Sequence, residues 1–133
     1  MFKYFYIFSI GILITDFTMA QPPKQAIALY KKGVLLEEKG MFYEAIAAYK
    51  KAISLNKKYD SAYLRTGAIY TKINKADSAI IILKNALKLI PGFSQGYIAL
   101  GNIYRDIKNN PDEAIVNYKS ALKTDSTNKV IFY

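Results

Sequence analysis

Three glycines, Gly33, Gly67 and Gly101, stand 34 residues apart in a chain of 133 residues. The residues around them recur with the same spacing. In the middle copy, running from Asp60 to Gly92, Tyr63, Gly67 and Tyr70 are followed by Ala79, Leu83, Ala86 and Pro91. Leu29, Gly33, Leu36, Ala45, Tyr49 and Ala52 fall in register upstream, and Tyr97, Gly101, Tyr104, Ala114, Tyr118 and Ala121 downstream. A fixed period of this size marks a solenoid, in which a unit too small to bury its own apolar face stacks on copies of itself.

Each copy reads as two helices. Ile27, Leu29, Tyr30, Val34, Leu35 and Leu36 have helical spacing. The run ends at Glu38-Lys39-Gly40, where Gly40 can take the left-handed conformation that closes a helix. A second helix is predicted from Phe42 to Leu55, with Ala45, Ile46, Tyr49, Ala52 and Ile53 as its buried stripe. Gly33 is expected where the two helices meet, because a missing side chain lets backbones approach. The middle copy predicts helices over 62–73 and 76–89, with Asp60 or Ser61 as N-cap. The third predicts helices over 95–107, capped by Ser94, and 111–123. Asn110-Pro111-Asp112-Glu113 opens the last of these with an N-cap, a proline at the first position and a glutamate at the third. The turn before it is one residue longer than its equivalents. Asp125-Ser126-Thr127 reads as a turn, and 129–133 as the start of a fourth or capping helix. That stub ends on four apolar residues, Val130, Ile131, Phe132 and Tyr133. An exposed apolar end invites self-association, so the reading favours a fragment of a longer protein.

The stretch Tyr97-Ile98-Ala99-Leu100-Gly101-Asn102-Ile103-Tyr104 carries nearly whole the first half of a known pattern, an aromatic, Leu-Gly and Tyr, and Ala79 to Leu83 with Pro91 carry much of its second half, Ala, an aromatic and Pro. On these residues the chain resembles the tetratricopeptide repeat (TPR) family over about residues 24–128, as repeats of about 26–59, 60–93 and 94–128 within a domain of 21–128. It departs from the pattern at Leu29 and Leu36, where aromatics are usual, at Lys57 and Ser126, where Pro is usual, and at Thr124, an apolar site. The resemblance implies an all-α fold, a TPR-type α-solenoid of three helix-turn-helix repeats plus a C-terminal stub. It also implies a concave face, lined by the first helix of each pair, that binds an extended peptide or a partner helix. The matching positions are Tyr30, Val34 and Glu37; Ser61, Leu64, Ala68, Thr71 and Lys72; and Gln95, Ile98, Asn102 and Arg105. Some members grip a C-terminal carboxylate with a lysine and an asparagine. Tyr30 and Val34 occupy those sites in the first repeat, so that clamp is not expected here.

Residues 1–20 form a leader: Lys3, an apolar run from Tyr4 to Ile14, then Thr18-Met19-Ala20. This is the pattern of a secretory signal peptide cleaved after Ala20. The run falls short of the roughly 20 apolar residues a membrane span needs, which leaves an uncleaved N-terminal anchor as the alternative. The resulting expectation is an interaction scaffold exported to the periplasm or cell envelope of a bacterium. Its alternative is the N-terminal TPR module of a longer envelope protein with a structural role.

Several function classes are disfavoured. There are no cysteines and no histidines, which removes disulfides, thiolate ligands and the commonest general base. No nucleophile elbow, phosphate loop or metal spacing is present. Glu37-Glu38 and Asp112-Glu113 are adjacent pairs, which point apart on a helix. The chain is therefore not expected to be an enzyme, to hold a cofactor or metal, or to take a small-molecule substrate. The net charge of +9 comes mostly from lysines spread over all repeats. They read as a solvated coat without a one-sided patch, so nucleic acid is not an expected partner.

Overall fold

A computed structural model of the protein describes residues 22–130, which form six helices. They are α1 (Pro22–Glu38), α2 (Phe42–Leu55), α3 (Asp60–Lys72), α4 (Ala76–Leu89), α5 (Ser94–Asp106) and α6 (Pro111–Val130). The described residues are all-helical and stack as three antiparallel pairs. Within each pair the glycine meets the partner helix. A Cβ on Gly33 would stand 2.5 Å from Cε1 of Tyr49, and one on Gly101 2.5 Å from Cε1 of Tyr118. In the middle pair Leu83 replaces the tyrosine, and a Cβ on Gly67 would stand 3.2 Å from its Cγ. Ala45, Tyr49 and Ala52 are fully buried opposite, as are Ala79, Leu83 and Ala86.

The core runs between pairs as well as within them. Ala45, Ile46 and Tyr49 of α2 share a cluster with Ala62 and Ile69 of α3. Ala79 and Leu83 of α4 share the next with Leu100 and Ile103 of α5. Tyr63, Ala86 and Phe93 close a third around the link from α4 to α5. α2 and α4 thus each bury one side against their own partner and another against the next repeat, the coupling that holds a solenoid together. Of the aromatics Tyr63, Tyr70, Tyr97, Tyr104 and Tyr118, only Tyr63 is fully buried; the others are half-buried.

The tight turns share one closure. Gly40 has φ +74°, and the Met41 N–H donates to the Leu36 carbonyl at 2.9 Å. Asn74 takes φ +61° at the equivalent place, with the Lys75 N–H on the Tyr70 carbonyl at 2.7 Å. In the third, longer turn the left-handed residue moves to Asn109, φ +50°. Glycine and asparagine adopt this conformation at least cost.

Two boundary expectations fail. Asp60, Ser61 and Ser94 do not cap their helices. The cap positions are Tyr59 and Phe93, and neither makes a side-chain cap hydrogen bond. An aromatic ring holds the chain entry instead. Phe93 is buried against Gly96, where a Cβ would come within 2.5 Å of the ring, and Tyr59 stacks on Tyr30 at 5.1 Å. Asp60 is the first residue of α3, and its carboxylate accepts from the Ser61 N–H at 2.6 Å. By contrast Asn110 does cap α6, accepting from the Glu113 N–H at 3.1 Å. The second failure is the turn at Asp125-Ser126-Thr127: α6 continues through it to Val130. No proline or glycine lies there, and the hydroxyls satisfy themselves on the helix. Thr124 donates to the Ala121 carbonyl at 2.7 Å and Ser126 to Leu122 at 2.8 Å. Positions 129 and 130 therefore extend the last helix rather than open a fourth. The rest of that stub and the whole leader lie outside the described residues.

Candidate partner-binding surface

The first helices α3 and α5 pack directly on one another, whereas the second helices α2 and α4 have no comparable contact. Helices that crowd together lie on the inside of a curved stack, so α3 and α5 stand on its concave side; α1 is joined to α3 through side chains, by Arg65 to Tyr30 and Glu37. The expected positions on these helices fall into two groups.

Those of the first repeat belong to a network that joins repeats one and two. The guanidinium of Arg65, on α3, donates from Nε to the Tyr30 hydroxyl at 2.9 Å and from Nη1 to Glu37 Oε2 at 3.0 Å. The same Glu37 oxygen accepts from the Tyr49 hydroxyl at 2.7 Å. Tyr30 lies between Tyr59, stacked at 5.1 Å, and Tyr49, tilted at 5.5 Å. The hydrogen bonds to Tyr30 and Glu37 hold the Arg65 pKa above its usual range despite partial desolvation. Burial, reinforced by the bond to Glu37, raises the Tyr49 hydroxyl well above its ordinary value. Tyr30 and Glu37, expected to face a partner, thus use their polar atoms within the protein, and Val34 packs half-buried against the first core cluster. Arg65, Tyr49 and Tyr59 were not among the expected positions. Arg65 meets residues 28 and 35 positions earlier, a separation that no local pattern reveals.

The other group is more open. Ala68, Lys72, Ile98, Asn102 and Arg105 are exposed; Leu64 and Thr71 are half-buried, with the Thr71 hydroxyl donating to the Gly67 carbonyl at 3.0 Å. Ile98 is 41% exposed on α5. Asn102 accepts from the Tyr118 hydroxyl at 2.7 Å through its side-chain oxygen, which leaves its NH₂ group to donate outward. Arg105 is bidentate to its neighbour Asp106, at 2.6 and 2.8 Å, which lowers the Asp106 pKa. The Lys72 ammonium lies 5.0 Å from the centroid of the Phe42 ring. Ser61 and Gln95 stand at the start of α3 and α5, half-buried and exposed. The surface is an apolar strip, Leu64, Ala68 and Ile98, edged by amide and cationic groups. Such a strip can bury a partner's side chains and fix their register, and it presents no nucleophile–base pair. Among the described residues no group of three acidic, histidine or cysteine side chains could hold a metal, and no helix is long and apolar enough to cross a membrane.

Models of the family described as "Tetratricopeptide repeat" match residues 26–59, 60–93 and 94–128. The chain is 36% identical over 67 residues to heat shock protein STI1 of Saccharomyces cerevisiae, an alignment covering 50% of this chain and 11% of that protein. A crystal structure of MamA superposes with a TM-score of 0.71 at 29% identity, covering 86% of this chain and 66% of MamA. The second TPR of Spaghetti, solved with the HSP90 peptide SRMEEVD, superposes with a TM-score of 0.67 at 22% identity over 78% of this chain and 95% of that one. The chain thus spans a ninth of STI1 and about two thirds of MamA.

Proposed function

Because the chain belongs to the tetratricopeptide repeat family, we propose that it is a protein-interaction scaffold whose concave face takes a peptide or a partner helix. The observation that carries this is the open strip on α3 and α5. Ala68 and Lys72 on α3 and Ile98, Asn102 and Arg105 on α5 are all exposed, while Arg65 ties the first repeat to α3. A braced wall beside an apolar strip limits the entropy lost on binding. That two structural relatives were solved with the HSP90 peptide supports the mode of binding. It does not carry over the ligand, because Tyr30 and Val34 stand where a carboxylate clamp would need polar groups.

The test is a comparison of capture by the wild-type chain and by Lys72→Glu/Arg105→Glu. Both residues are exposed, so the variant keeps its fold. Loss of one defined partner from the variant, with the remainder of the captured set unchanged, supports the reading; an identical set overturns it.

The proposal extends to location. Lys3, the apolar run and Thr18-Met19-Ala20 support export to the periplasm or envelope, with an N-terminal anchor as the other outcome. The intact mass of the native protein distinguishes them, since cleavage leaves residue 21 as the first. A second reading makes the scaffold the amino-terminal module of a longer envelope protein. The exposure of Ile115 and Leu122 on α6 favours it. Their counterparts Ile46 and Ile53 on α2, and Ile80 and Leu87 on α4, pack toward the next repeat. A native mass well above that of 133 residues is the result this second reading expects.

A further inference from the structure

On the outer side of the stack, the interval between α2 and α4 is a groove rather than a contact. It runs from a cavity of about 270 Å³ beside Lys50 and Ser78 to one of about 520 Å³ beside Lys57 and Leu89. Ile82 and Asn85 line both, so the two are one feature. The walls are mainly aliphatic, Ile53 from α2 with Ile81, Ile82 and Leu89 from α4, and Tyr63 and Tyr70 of α3 also line the groove. Ile81 is 61% exposed, a large residue left in water at the groove's edge.

Every charged side chain on this groove is a lysine: Lys50, Lys57 and Lys88. No carboxylate lines it, and among the described residues none of the three forms a salt bridge. Lys50 rests over the Tyr70 ring, 5.5 Å from its centroid, which holds one ammonium at the rim. The lysines come from α2, from the turn between α2 and α3, and from α4, so their even spread along the chain concealed their convergence. The composition is not periodic either: Glu113 stands on α6 where Ser78 stands on α4.

We propose that this groove is a second protein-binding surface, and that its occupant is an acidic amphipathic segment of a partner. The occupant's apolar side chains lie between Ile53, Ile82 and Leu89, and its carboxylates face Lys50, Lys57 and Lys88. Apolar burial supplies affinity in such a groove, and an all-cationic rim supplies steering and rejects basic segments. The chemistry disfavours single-stranded nucleic acid, whose bases need open aromatic platforms: of the two rings that line the groove, Tyr63 is buried and Tyr70 already lies beneath the Lys50 ammonium. The interval from Ser78 to Leu89 accommodates about three turns of helix, at roughly 1.5 Å per residue.

The experiment uses the full chain and a fluorescein-labelled helical peptide of about 12 residues, leucine on one face and glutamate on the other. Fluorescence anisotropy is expected to show saturable binding that weakens as salt rises. Lys57→Glu/Lys88→Glu is expected to weaken it about tenfold or more, and Ile81→Glu to weaken it as well. Arg105→Glu, on the concave face, should leave it unchanged. A peptide with lysine in place of glutamate should not bind. No saturation with the glutamate peptide, equal binding to the groove variants, or loss on Arg105→Glu each overturns the proposal. So does equal competition by a single-stranded oligonucleotide, which would make the lysines a general polyanion surface. All the substitutions replace exposed side chains, and circular dichroism checks that the helices persist.

Discussion

Gly33 and Gly67 occupy the same place in successive repeats, yet the structure assigns them different tolerances. An added methyl at Gly33 meets the flat ring of Tyr49 at 2.5 Å, and a ring packed in a core cannot step aside. The same methyl at Gly67 meets the branched end of Leu83 at 3.2 Å, where a shift of a few tenths of an ångström suffices. Gly33→Ala is therefore expected to cost about 1–3 kcal/mol. Gly67→Ala should stay within about 1 kcal/mol of wild type, because the gain in helix propensity offsets the crowding. Denaturant midpoints of the two variants decide it, and equal losses would contradict the packing account. A second prediction concerns the hydroxyl of Tyr49, whose folded-state pKa is raised by burial and by Glu37. A raised acid favours the protonated form in the folded state. Its contribution is complete below the unfolded value of 10.0 and is lost as pH climbs above it. Stability should fall above pH 10, with Tyr59 and Tyr63 adding in the same direction. In Tyr49→Phe the alkaline decline should be shallower; an unchanged slope would place the effect elsewhere.

Helix boundaries divide into those the sequence states in local chemistry and those it does not. Gly40 and Asn110 announce themselves, one by lacking a Cβ at φ +74° and the other by an amide oxygen aimed at the Glu113 N–H. Gly40→Ala forces a side chain into the left-handed region and should cost about 1–2 kcal/mol, measurable as a lower thermal midpoint. Tyr59 and Phe93 are opaque for the opposite reason. They hold their helix entries by burying rings against Tyr30 and Gly96, and an aromatic before a helix carries no cap signature. The adjacent Asp60, Ser61 and Ser94 imitate one. The continuation of α6 past Asp125 is opaque for a similar reason: Thr124 and Ser126 look like turn formers until their hydroxyls are seen bonded to the preceding helical turn. The repeat itself was legible because identical spacing of Gly33, Gly67 and Gly101 needs no knowledge of contacts. The Arg65 network and the lysine groove were not, because each is assembled from separate helices.

Three helix pairs with shared cores behave as a short linear array, in which the interface between repeats sets how cooperatively they unfold. Arg65 is the polar tie between the first pair and the second, reaching Tyr30 and Glu37 across that interface. Arg65→Met should loosen the first pair selectively. Amide exchange in α1 and α2 is expected to become faster relative to α4 and α5 than in wild type; uniform acceleration would mean that the tie is not local. The central claim is that a partner lies across the first helices. It is tested most directly by a photo-crosslinking residue placed at Ile98, or alternatively at the exposed Val116 on α6. The account predicts a single discrete adduct from position 98, abolished by Lys72→Glu/Arg105→Glu, and none from position 116. An adduct from position 116 alone, or one from position 98 indifferent to those charge reversals, would contradict it.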